Sequence, residues 1–394
     1  MSSPEIPPWE AAGEGASLEY VDYDFGLSRR DLMKSLGTGL FIAVSLPALA
    51  QEKESGQPKR NTFLGSGPAN LAARIHLGAD GSITVLAGKV EGGQGARAEL
   101  TQAAAEELGV PASRVQMLLA DTGMVPDDGM TAGSGTTPRT VPAVRRGAAT
   151  ARNLLIEFAC GEWKVNRAAV EMRDGEVVHA ASSRSCSYAD LARNAGAMQQ
   201  FQQSIPSGVA LTPIKEWKVL GTPVPRPSGH DLVTGAHRYP SDIVRPGMLY
   251  GKILRAPAYG AKLVSVDLAP AKAMPDVIAV RDDLFVGVAA PNSFRAQRAL
   301  GAIAATAKWE NPPGPQPSSE GLFAYLKQNA EGGIPQNPFA NELAGAKTLR
   351  RSYQVPYIQH APLEPRAAVA EWQDGRLTVW TGSQNPFGVR TELA

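Results

Sequence analysis

Cysteine is nearly absent from this chain. With only Cys160 and Cys186 in 394 residues, no disulfide framework can form. Their separation does not match the Cys-x-x-Cys spacing of zinc, redox or iron–sulfur sites. The two can pair once in an oxidising compartment, or remain as two inert buried thiols. Histidine is scarce as well, and His76, His179, His230 and His237 fall at no metal-ligand spacing. An excess of one charge sign is also missing. Lys and Arg number 39 against 38 Asp and Glu, interspersed to a net +1, so there is no basic footprint for nucleic acid. Long apolar runs are lacking too. The clearest, residues 36–46, is too short and too rich in Gly and Thr for a stable membrane span of ~20 residues.

What is present begins at residues 28–50. Arg29-Arg30, then Lys34 at the head of that apolar run, then the small-x-small site Ala48-Leu49-Ala50, resemble a cleavable twin-arginine export signal, which implies a periplasmic protein folded before export. The leader ahead of Arg29 departs from the pattern by being acidic, with Glu5, Glu10, Glu14, Glu19, Asp22 and Asp24. The competing reading is an acidic tail joined to a short buried helix. Beyond this 1–50 leader the length suits two or three domains of ~100–200 residues.

Proline-rich seams at 223–227 and 311–321 disfavour regular structure, because Pro fixes φ and donates no hydrogen bond. They set off a middle unit of residues 228–310. Asp80-Gly81, Asp174-Gly175 and Asp374-Gly375 sit between alternating apolar runs and are read as type I′ hairpin turns, the clearest joining 368–372 to 377–381. Leu100, Ala103, Ala104 and Leu108 share one helical face, as do Val141, Val144, Ala148, Ala151, Leu155 and Phe158. The chain is therefore expected to mix α and β.

Two loops have chemical content. Residues 88–95, Gly-Lys-Val-Glu-Gly-Gly-Gln-Gly, follow an expected strand at 83–87 and open the helix carrying Leu100. Glycines there allow close approach of backbone N–H groups to an anion at a helix start. Such turns also serve as plain connectors, and the loop has neither the Gly-Lys-Ser/Thr ending of a Walker loop nor the dinucleotide fingerprint. Residues 127–137, Asp-Asp-Gly-Met-Thr-Ala-Gly-Ser-Gly-Thr-Thr, follow a strand at 115–120 and run into a helix beginning near Thr140. Here again hydroxyls and backbone donors gather at a helix start, either for a ligand or merely to cap the helix.

The run from Gly88 to Gln102, with Ala105-Glu-Glu-Leu-Gly-Val-Pro, Ala120-Asp-Thr and Thr131-Ala-Gly-Ser, resembles the molybdenum hydroxylases. More narrowly, it is similar to the molybdopterin-binding large subunit in the isoquinoline 1-oxidoreductase and nicotinate dehydrogenase branch of the xanthine dehydrogenase and aldehyde oxidase family. The blocks at 231–239, 246–257 and 285–289 resemble that family's α/β hammerhead domain. His360-Ala-Pro-Leu-Glu364-Pro and 380–390 resemble the opening of its main cofactor domain.

The resemblance implies an α+β fold: a molybdopterin-binding region at 51–225, a hammerhead at 226–310, and the start of the main cofactor domain at 311–394. It implies molybdopterin as cofactor, with or without a cytosine dinucleotide extension. Gly93, Gln94, Gly95 and the turn Gly133, Ser134, Gly135 would line its anionic part. His360, Glu364, Gln384, Phe387 and Gly388 would approach the metal end. In the family a glutamine next to the metal lies a little before this histidine; here Ile358 and Gln359 precede it, and that glutamine is left unassigned. The implied chemistry is hydroxylation of a carbon beside nitrogen in a heterocycle, or of an aldehyde carbon, with oxygen from water. The implied partners are an iron–sulfur subunit and, as acceptor, a cytochrome c. None of Glu91, Asp121, Asp127, Asp128 or Glu364 matches the family's catalytic glutamate, so no catalytic residue and no protein metal ligand is assigned. The chain also stops soon after Asn385-Pro386 open a helix, so the expectation is a large subunit truncated or split before its catalytic half. The alternative is a non-catalytic assembly or binding module that retains the hammerhead.

Overall fold

The computed structural model describes residues 39–44, 72–194, 208–311, 314, 317–336, 347, 349, 351–358 and 360–394. Arg29, Arg30 and Ala50 of the expected export signal lie outside them. The chain divides into two compact units, Met1–Asp242 with Arg366–Ala394, and Ile243–Pro365.

In the first unit, β1 (Gly39–Val44), β2 (Ala72–Gly78), β3 (Ile83–Ala87) and β4 (Val115–Leu119) form one sheet in that order. The first three run antiparallel, and β3 pairs parallel with β4. A parallel neighbour needs a crossover, supplied by α1 (Ala96–Leu108). Residues 39–44 of the apolar run thus lie in a strand. The helix α2 (Val141–Trp163) packs beside α1, so that Leu100, Ala104, Leu108, Val144, Ala148 and Leu155 meet Ile75, Leu77, Ile83 and Val85 in one buried core. Both helical faces fall where the period of 3.6 placed them. The approach to α2 is wider than expected, because residues 136–140 form a π-type turn ahead of Val141.

A three-stranded meander, β5 (Glu171–Arg173), β6 (Glu176–His179) and β7 (Arg184–Ser187), precedes α3 (Tyr188–Arg193). Asp174 and Gly175 both have positive φ, as a type I′ turn requires. At Asp80-Gly81 the hairpin forms, with Leu77 opposite Ile83, but the type I′ reading is corrected. Only Gly81 is left-handed, at φ 92°, and its N–H reaches Gly78 O while the Gly78 N–H reaches Ser82 O. This is a three-residue loop with a bulge at Gly81, because Ala79 adds a residue to the turn. Cys160 and Cys186 are both free, and burial with nearby Asp190, Glu162 and Glu176 pushes the Cys186 thiol up to about 12.

The end of α1 carries two buried carboxylates that pin the chain after residue 208. Glu106 accepts the N–H groups of Lys218, Val219 and Leu220 at 2.7–2.9 Å. Glu107, fully buried, pairs with Arg145 at 2.6 Å and Arg152 at 3.0 Å and accepts from Thr212 Oγ1 at 2.9 Å. Glu107→Gln keeps the shape and removes the charge. It should cost about 1–2 kcal/mol and speed tryptic cleavage after Lys215 and Lys218, seen by unfolding curves and timed digestion; unchanged cleavage would disprove the pinning role. Beyond the seam lies a short helix, α4 (Gly229–Thr234).

The second unit holds a sheet ordered β10 (Ile278–Asp282), β11 (Phe285–Ala290), β8 (Tyr250–Ile253), all antiparallel, and a ribbon of β9 (Lys262–Ser265) with β12 (Lys308–Glu310). The helices are α5 (Ala269–Lys272), α6 (Ser293–Ala304) and α7 (Leu322–Gln328). The Asn292 side chain caps α6 by accepting the Arg295 N–H at 2.9 Å. Ala296, Ala299 and Ile303 are its buried positions, and the last two pack with Ala279, Val286 and Val288.

Back in the first unit, β13 (Ala368–Gln373) pairs with β14 (Arg376–Thr381), with Ala368 opposite Thr381 and Trp372 opposite Leu377, the register expected from the Asp374-Gly375 turn. The final helix, α8 (Pro386–Leu393), starts at an Asn385 whose side chain accepts the Gly388 N–H at 3.1 Å.

Candidate functional site

The three segments singled out in the first unit converge. Loop 88–95 leaves β3 alongside loop 127–135, and the turn at 384–388 closes on the second of these. Thr131 N–H donates to Gln384 O at 2.8 Å, and Gln384 Nε2 donates back to Thr131 O at 3.1 Å. Phe387 packs against Leu86, Leu118 and Val125.

Buried charges that the sequence patterns did not expose hold the loops together. Arg74, on β2 and fully buried, makes a two-pronged ion pair with Asp128, one contact measuring 2.6 Å. Asp128 also accepts the Gly88 N–H at 2.7 Å. Gly88 runs so close to the second loop that a Cβ there would lie 2.1 Å from Pro126 O, so only glycine fits. Lys89 Nζ, equally buried, donates to Asp128 O at 2.8 Å, Gly129 O at 3.3 Å and Met130 O at 2.9 Å. Burial lowers the pKa of this ammonium, with Arg139 and Arg74 adding to the effect and Asp128 and Asp127 opposing it. Three carbonyls around one ammonium supply the compensation that a buried charge needs.

The Gly-Gln-Gly segment forms a backbone nest at the start of α1, and the chain's own carboxylate sits in it. Glu91 accepts the N–H groups of Gly93 at 2.7 Å, Gly95 at 3.1 Å and Arg97 at 2.9 Å, with Arg226 at 3.8 Å. Burial pushes this carboxyl up, but those N–H groups and Arg226 outweigh it and hold it below the usual carboxylate range. Gln94 accepts the Gly92 N–H at 2.7 Å and donates to Val90 O. Gly93, Gln94, Gly133 and Ser134 are exposed, while Gly135 is buried and donates to Ala132 O. Ser134 and Gly133 both take left-handed φ, and a Cβ at Gly133 would meet nothing.

His360 and Glu364 belong to the second unit, in an exposed segment without regular structure. Among the described residues no cluster of three His, Cys, Asp or Glu side chains is arranged to hold a metal ion, and no helix is long and apolar enough to cross a membrane.

The first unit thus presents two glycine loops at helix starts, tied together by one buried ion pair and one buried lysine. Molybdopterin cofactor-binding domain models match residues 28–236 and 325–394. Among curated proteins, a nicotinate dehydrogenase subunit of Pseudomonas putida is 31% identical over 82% of this chain and 28% of its own length. The beta subunit of isoquinoline 1-oxidoreductase from Brevundimonas diminuta is 27% identical over 91% and 52%. The chain thus spans between about a quarter and a half of these relatives. Quinoline 2-oxidoreductase from Pseudomonas putida 86 is a solved structure with 24% identity over 34% of this chain and 17% of its own, at a TM-score of 0.27. The chain belongs to the molybdopterin-binding family of xanthine dehydrogenase-type molybdenum subunits.

Gly93, Gln94, Gly133 and Ser134 are exposed and a Cβ at Gly133 would meet nothing, so there is room for that cofactor's anionic end, although Glu91 occupies the N–H groups of the nest itself.

Proposed function

We propose that the chain is the cofactor-cradling part of an exported molybdenum hydroxylase. This enzyme would oxidise a carbon next to nitrogen in a heterocycle, or an aldehyde carbon, with oxygen drawn from water. The observation that carries the reading is the convergence of loops 88–95 and 127–135 with the turn at 384–388. Gly93, Gln94, Gly95, Gly133, Ser134 and Gly135 would hold the phosphate-bearing part of the pterin, and Gln384, Phe387 and Gly388 would close the cradle. The bound group supplies the metal-centred oxidation. These residues would fix its position. His360 and Glu364 are proposed for the metal end on resemblance alone.

The middle of the chain is read as the family's hammerhead, and electrons are proposed to leave through an iron–sulfur subunit and a cytochrome. Turnover would also need the large-subunit polypeptide that the relatives have outside the matched part. If the leader is cut after Ala50, β1 leaves with it and β2 becomes the sheet edge.

A second reading, a binding module that never holds metal, is favoured by one observation: the nest's donors are already satisfied by Glu91. The test is the molybdenum and pterin content of the tagged chain isolated from its own cells with its natural companions. Near-stoichiometric molybdenum, falling at least tenfold in Ser134→Asp while the melting temperature holds, is the expected result. A wild-type complex without molybdenum would leave the module reading in place.

A further inference from the structure

The proline-rich seam at 223–227 continues a stretch that is tied to α1. Glu106, in the last turn of that helix, accepts the N–H groups of Lys218, Val219 and Leu220. One turn earlier, Gln102 Nε2 donates to Val219 O and to Thr222 O, both at 3.0 Å. The chain then reaches the other end of α1. Arg226 Nη2 lies 3.8 Å from Glu91 Oε1 and 3.9 Å from the point that a Cβ on Gly93 would occupy. Residues 218–226 therefore run back along α1 as a strap, from its last turn to the nest at its start. Pro223, Pro225 and Pro227 stiffen the strap, because each fixes its own φ and biases the residue before it towards an extended conformation. The four steps from Thr222 to Arg226 cover about 12 Å at the polyproline rise, close to the roughly 10 Å of helix axis between Gln102 and Gly95.

Arg226 reaches the nest with donors to spare. Its side chain is 44% exposed, and among the described residues its guanidinium makes no hydrogen bond and one ion pair, the long contact to Glu91. Gly93 and Gln94 beside it are exposed too. A phosphate settling on that ledge meets the Glu91 carboxylate, which repels it. The guanidinium offsets this repulsion and presents a fork of N–H groups that fits two phosphate oxygens at once.

We propose that Arg226, carried to the ledge of Gly93 and Gln94 by the strap, is a binding residue for the phosphate of the ligand that sits there. The proposed function makes that phosphate the anionic end of the pterin, and the inference rests on that reading for the ligand's identity only. Arg226 lies outside the buried core, so its replacement should leave the fold intact.

The first probe is pyrophosphate, titrated into the full chain free of cofactor and followed by calorimetry and by the amide resonances of Gly93 and Gln94. Wild type should bind, and Arg226→Gln should bind at least tenfold more weakly at an unchanged melting temperature. Arg226→Lys should fall between them, since a point charge replaces the fork. Lys215→Gln removes the same charge from an exposed residue just before the strap and should leave the affinity unchanged. No binding by wild type, undiminished binding by Arg226→Gln, or an equal loss in Lys215→Gln would overturn the proposal. The second measurement is the molybdenum content of the chain isolated with its natural companions, which should fall at least tenfold in Arg226→Gln. Equal molybdenum in wild type and Arg226→Gln would refute the role of Arg226 and leave the cofactor reading standing. Arg226-dependent pyrophosphate binding by a chain that never carries molybdenum would uphold Arg226 and refute the cofactor reading.

Discussion

Asp128→Ala should destabilise the first unit by about 3–5 kcal/mol, because it strands a buried guanidinium. Arg74 is fully buried, Asp128 faces it with a side chain only 4% exposed, and Arg74 Nε already has no hydrogen-bond partner. The same substitution frees the Gly88 N–H that Asp128 accepts, so loop 88–95 loses its tie to loop 127–135. Urea unfolding checks the magnitude. The pair variant Arg74→Met with Asp128→Leu should recover at least half of the loss, since the penalty comes mostly from the orphaned charge. A pair variant as unstable as Asp128→Ala would show that shape, not charge, governs the site.

The second large effect is a dependence on acid. His76 is fully buried on β2, and burial lowers its pKa from 6.5 to about 4, with nearby Asp80 pulling the other way. Above pH 6.5 the imidazole is neutral in both folded and unfolded chains and contributes no slope. As the pH falls from 6.5 towards 4 the unfolded chain takes up a proton that the folded chain refuses, so stability drops. The loss approaches about 3 kcal/mol near pH 4, and at pH 4.5 it should be about 2–3 kcal/mol. His76→Leu removes that slope. The difference between wild type and variant in unfolding free energy should therefore shift by this amount between pH 7 and pH 4.5. Parallel stability curves over that range would refute the assignment to His76.

The periodic elements were legible from residues alone. Leu100 to Leu108 and Val141 to Phe158 gave their helices away because burial of one face repeats every three to four positions, and the 368–381 hairpin because Asp374-Gly375 adopts the two left-handed conformations its turn needs. Asp80-Gly81 was misread because dipeptide rules do not count the extra residue Ala79. The charged framework of the site was invisible for a different reason. Arg74 and Asp128 are 54 residues apart, and Glu107 and Thr212 are 105 apart. Pattern rules place such side chains at the surface, and only the fold reveals their partners. The glycine loops were found, but not that Glu91, inside the same motif, fills their donors. His360 and Glu364 came from resemblance, and they stand in an exposed stretch of the other unit.

The reciprocal pair between Thr131 and Gln384 joins positions 253 apart, and every residue of the second unit lies in the ring it closes. Contacts of such long range form late, after the shorter loops have already lost their freedom. The Thr131 amide is therefore a timekeeper: its hydrogen stops exchanging with solvent only when the tail at 366–394 has returned to the body laid down by the first two hundred residues. A chain stalled in folding, or clipped inside the second unit, would keep this one signal open while the β3 and β4 amides are already closed.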